Sequence, residues 1–187
     1  MSEKRIAVLD VDGTLVDSNY QHAMAWYRAL RSLDETFPIW RIHRLIGMGG
    51  DKLVTSLGGE ELEARIGEEA RERQGKEVDA LLDEIAPLPG ARDLADAWTS
   101  SADADETKPA PDLLQVALKK LGAAQGAPSV MVGDTPFDVE AAKKAGMPAI
   151  VVRSGGFGDD ELREAGAVAI FDTPADLAAD LDNTDLA

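Results

Sequence analysis

The sequence predicts an α/β fold with a largely parallel sheet, interrupted near its start by a helical insertion. Three observations carry this. Short unbroken apolar runs recur at 6–9, 129–132 and 149–152, with a weaker run at 167–171, as in strands buried on both faces. Helical patterns lie between the later runs at 113–121, 139–145 and 175–181, the first two closed by Gly122 and Gly146, a common helix stop. From about residue 17 to 88 the apolar residues recur only at helical spacing, as in Ala23, Trp26, Tyr27 and Leu30, then Leu62, Ile66 and Ala70. Alternation of strand and helix puts residues 1–16 and 89–187 in one discontinuous α/β domain, with 17–88 as a helical domain inserted into it.

The first run, Ile6-Ala7-Val8-Leu9, leads into Asp10-Val11-Asp12-Gly13-Thr14. Two carboxylates two residues apart at the carboxyl end of a parallel strand can face one pocket, because ligands bind at that edge of such sheets. Gly13 allows a tight turn beside them. An N-cap and turn is the plainer reading of the pentapeptide alone. The insertion ends at Pro87-Leu88-Pro89-Gly90, a turn signal. The run at 129–132 leads into Gly133-Asp134-Thr135-Pro136-Phe137-Asp138, placing further carboxylates at the same edge if the strands are neighbours. Clustered like charges are costly unless a cation joins them, and hard oxygen donors without His or Cys favour Mg²⁺. Lys108, before Pro109, can supply a balancing positive charge or be a solvated surface lysine.

Composition bounds the function. The chain has 187 residues, 19 Lys and Arg against 35 Asp and Glu, and a net charge of −16, which repels nucleic acid and anionic lipid surfaces. No apolar run approaches the roughly 18 residues of a membrane span. There are no cysteines, so disulfides and thiolate chemistry are excluded, and the chain reads as a cytoplasmic protein. Trp26, Trp40 and Trp98 read as packing residues. His22 and His43 read as polar residues of the insertion rather than metal ligands.

These motifs, in this order around a helical insertion, resemble the haloacid dehalogenase (HAD) superfamily, in its phosphoglycolate phosphatase and β-phosphoglucomutase-like branch. The resemblance implies a three-layer Rossmann-like core with a helical cap, Mg²⁺ as cofactor and a small phosphorylated metabolite as substrate. It implies Asp10 as the nucleophile forming an aspartyl-phosphate, Asp12 as general acid and base, and Lys108 as the cation stabilising the phosphoryl group. Asp134 would hold Mg²⁺ with Asp10 and the Asp12 carbonyl, supported by Asp138. Gly13, Thr14, Ser100 and Arg44 would meet the substrate. A phosphomutase, or a relative that binds without turnover, are the alternatives.

One departure stands out. Lys108 lies only 18 positions beyond Gly90 (108 minus 90), whereas a βαβ unit takes roughly 30 residues or more. The family strand that ends in a phosphate-binding Ser or Thr, with its helix, has no room. Either Ala97-Trp98-Thr99-Ser100 replaces that strand with Ser100 as the ligand, or the sheet lacks a strand beside its first one. The second reading fits better, because Ala102-Asp103-Ala104-Asp105-Glu106 leads directly toward Lys108.

Overall fold

The computed structural model describes residues 6–94, 112–123 and 127–184. In chain order the strands and helices are β1 (Ile6–Leu9), β2 (Val16–Asp17), α1 (Asn19–Arg31), α2 (Ile39–His43), α3 (Gly50–Asp79), β3 (Ala86–Pro87), α4 (Ala91–Leu94) and α5 (Asp112–Lys120). They continue with β4 (Ser129–Gly133), α6 (Pro136–Ala145), β5 (Ala149–Val152), α7 (Asp159–Ala165), β6 (Ala169–Phe171) and α8 (Pro174–Ala179). The chain divides into two compact units, residues 1–16 with 87–187, and residues 17–86. The two-residue strands β2 and β3 pair where the chain passes from one unit to the other.

In the first unit the strands form a parallel sheet in the order β1-β4-β5-β6. Residues alternate across it because successive side chains in a strand point to opposite faces. Val8, Met131, Ala149 and Val151 pack with Leu114 of α5, Val139 and Ala142 of α6, and Leu162 of α7. On the other face Val130, Val132 and Ile150 pack with Leu177 of α8 and Leu94 of α4. The result is helix, sheet, helix. Every residue of β5 is buried, which is why Ala-Ile-Val-Val shows no polar alternation. The register pairs Leu9 with Val132, and Val132 with Ile150, so the carboxyl ends of β1, β4 and β5 lie side by side. Among the described residues β1 pairs on one side only, with β4.

The second unit is helical. Ala23, Trp26 and Leu30 form the buried stripe of α1 and pack with Ile42, Leu53, Val54, Leu57, Leu62, Ile66 and Ala70. The long helix α3 is broken at Gly59, whose φ of 82° and ψ of 179° suit glycine alone. The Arg41 guanidinium donates to the Leu57 carbonyl beside this break at 3.0 Å. It thereby satisfies an acceptor where the helical ladder is interrupted. Trp26 is buried in this core, whereas Trp40 is 67% exposed; the packing role expected of Trp40 is not what its α2 position provides. Trp98 lies outside the described residues.

Candidate active site

The site is assembled at the carboxyl ends of β1 and β4. The Asp10 amide donates to the Val132 carbonyl at 2.9 Å, extending the β1–β4 ladder by one step. The next residues turn sharply: the amides of Thr14, Leu15 and Val16 all donate to the Val11 carbonyl, and Gly13 sits at φ 74°. That left-handed conformation explains the glycine. Asp12 is exposed on this turn while Asp10 is half-buried.

After β4, Asp134 and Asp138 are 0% and 1% exposed. Thr135 is the N-cap of α6 and Pro136 its first residue, a favoured helix start. Asp138 closes the capping box. Its Oδ2 accepts from the Thr135 hydroxyl at 2.7 Å, the Thr135 amide at 3.1 Å and the Asp134 amide at 3.3 Å. Gly133 leaves room for this carboxylate, since a Cβ there would lie 2.5 Å from Asp138 Cγ. Thr14 is fully buried, and its hydroxyl donates to Asp134 Oδ1 at 3.1 Å.

One carboxylate oxygen each from Asp10, Asp134 and Asp138 lie within 4.8 Å of one another. A cation would offset the mutual repulsion of three acidic groups, two of them buried, in a chain of net charge −16. With oxygen donors and no nitrogen or sulfur in the group, the set fits Mg²⁺ better than zinc or copper.

Other anticipated residues are placed differently. The Thr14 hydroxyl is placed on Asp134. The Gly13 amide donates to the Val16 carbonyl at 2.8 Å, and its carbonyl accepts from the Ser154 hydroxyl. Arg44 belongs to the helical unit, at the end of α2. Lys108 and Ser100 lie outside the described residues.

A family model described as haloacid dehalogenase-like hydrolase matches residues 4–102, and one described as HAD-hydrolase-like matches residues 106–183. This chain belongs to the haloacid dehalogenase-like hydrolases. It is 30% identical to "Probable phosphatase IndB" of Dickeya dadantii over 91% of this chain and 90% of that one. That alignment runs over 208 positions but takes in only about 170 residues of this chain, 91% of 187, so about 38 positions have no counterpart here. The hydrolase is 42% identical to a phosphoglycolate phosphatase of Rhodospirillum rubrum over 72 residues, which is 38% of this chain and 29% of that protein. Among solved structures, a hydrolase from Pseudomonas syringae superposes with a TM-score of 0.86 and 29% identity, over 96% of this chain and 98% of that one. No helix among the described residues is long and apolar enough to cross a membrane.

Proposed function

We infer that this hydrolase is a Mg²⁺-dependent phosphatase of a small phosphorylated metabolite, working through an aspartyl-phosphate on Asp10. The observation that carries the reading is the convergence of Asp10, Asp134 and Asp138 at one sheet edge, with a fourth acid, Asp12, exposed two residues from Asp10. An Asp10 carboxylate oxygen attacks phosphorus, and the ester P–O bond breaks. Asp12 gives its proton to the departing oxygen. Water then attacks phosphorus, Asp12 takes the water's proton, and the Asp10–phosphorus bond breaks to release phosphate and restore Asp10. Bound at the three carboxylates, Mg²⁺ supplies charge neutralisation that lets an anionic phosphoryl group approach an anionic nucleophile. Lys108 adds positive charge, and the helical unit, through residues such as Arg44, selects the substrate. The protein carries no cysteine, which suits a cytoplasmic location.

The test is phosphate release from an aryl phosphate with Mg²⁺, with EDTA, and by Asp10→Asn. Release that requires both Mg²⁺ and Asp10 is expected. Folded wild-type protein that releases no more phosphate than Asp10→Asn would overturn the reading in favour of a binding protein.

A further inference from the structure

The loop after β5 touches both halves of the acidic site. Ser154 donates its hydroxyl to the Gly13 carbonyl, one residue beyond Asp12. Gly155 lies against Asp134: a Cβ there would fall 2.1 Å from the Asp134 carbonyl oxygen and 2.6 Å from its Oδ2. Gly155 does not have a positive φ, so backbone conformation does not demand glycine; space beside the carboxylate does. The loop is anchored from behind. Arg153 grips Asp159 with two bonds, Nε to Oδ1 at 2.7 Å and Nη2 to Oδ2 at 2.8 Å, and reaches Asp172 with Nη1. It thus ties the end of β5 to the start of α7 and to the residue after β6. Hydrogen bonding to Arg153 holds the Asp159 carboxyl below its ordinary range.

We propose that Ser154 and Gly155 are positioning residues that set the spacing between the Asp10–Gly13 turn and Asp134, and through it the affinity of the site for Mg²⁺. The register supports this. Gly133 is paired with Val151, so a strand end carrying Asp134 is flanked by the Asp10 turn on one side and the β5 loop on the other. Ser154 fixes the far side of that arrangement by holding the Gly13 carbonyl. Gly155 allows the β5 backbone to close on the carboxylate, where any side chain would displace it. Neither residue donates a charge or needs to touch substrate. Their effect is transmitted through Asp134 and through the turn that presents Asp10 and Asp12.

The inference rests on the Mg²⁺-dependent reading, and the experiment separates the two. Mg²⁺ binding is measured by calorimetry on metal-free wild type, Ser154→Ala, Ser154→Thr, Gly155→Ala and the control Lys144→Ala in the last turn of α6, with circular dichroism confirming each fold. Residues that orient metal ligands typically cost 10- to 100-fold in affinity when altered. Ser154→Ala is expected to weaken Mg²⁺ about 10-fold, with Ser154→Thr restoring it and Lys144→Ala unchanged. Gly155→Ala is expected to weaken it more. If Gly155→Ala does not fold, the Ser154 pair decides alone. Wild type that binds no Mg²⁺ removes the parent reading. Wild type that binds it, with Ser154→Ala binding equally well, overturns the positioning role itself.

Discussion

Replacing Thr14 by Val isolates one bond at the heart of the site. The hydroxyl of Thr14 donates to Asp134 Oδ1 at 3.1 Å, and both residues are 0% exposed. Valine keeps the branched shape, so no cavity opens. What is lost is a hydrogen bond to a charged acceptor, about 1.5–3 kcal/mol, and water cannot reach the buried oxygen freely to replace it. At about 2–4 °C per kcal/mol for a protein of this size, the metal-free protein should melt about 3–12 °C lower. Saturating Mg²⁺ should recover part of this, because a cation neutralises the same carboxylate. The assay is thermal and urea unfolding of both proteins in EDTA and in excess Mg²⁺. A variant that unfolds like wild type in EDTA would refute the claim that Thr14 supports Asp134.

Two further outcomes are expected. Leu162→Ala, at a fully buried position where α7 meets the sheet, should destabilise the protein by about 2–5 kcal/mol in urea unfolding, while Mg²⁺ affinity of the folded fraction is unchanged. His43, stacked on Tyr20 with ring centroids 4.7 Å apart, is held below its ordinary 6.5, first by burial and then by the neighbouring Arg44 charge. Below 6.5 the unfolded chain therefore takes up this proton more readily than the folded one. Stability falls as pH drops from about 6.5 through the lower folded value, and His43→Gln should flatten that slope in unfolding curves.

Much of the core was legible because buried parallel strands leave an uninterrupted apolar signature. The runs at β1, β4 and β5 are read at or within one residue of their observed bounds. Apolar spacing predicts α6 only from Val139, three residues after its observed start at Pro136. Its true start is set by polar chemistry, the Thr135 and Asp138 capping box with Pro136. Helix α7 left little trace, since only Leu162 of its seven residues is buried. The two-residue strands β2 and β3 are too short for any period. At the site, the acidic motifs were visible as carboxylates at strand ends. What Thr14 and Gly13 do was not visible, since it depends on partners 120 and 141 positions away. The same distance hid Ser154, and Gly155 meets its partner Asp134 only through the fold; in sequence both read as an ordinary turn after a strand.

The measurement that bears most directly on the account is capture of the phosphoenzyme. Wild type and Asp10→Asn are mixed with a phosphate monoester and Mg²⁺, quenched in acid within a fraction of a turnover, and their peptides weighed by mass spectrometry. The account expects one phosphoryl group on the peptide bearing Asp10 in wild type, and none in the variant or in EDTA. A phosphoryl group on another residue, or phosphate release by Asp10→Asn at the wild-type rate, would contradict it.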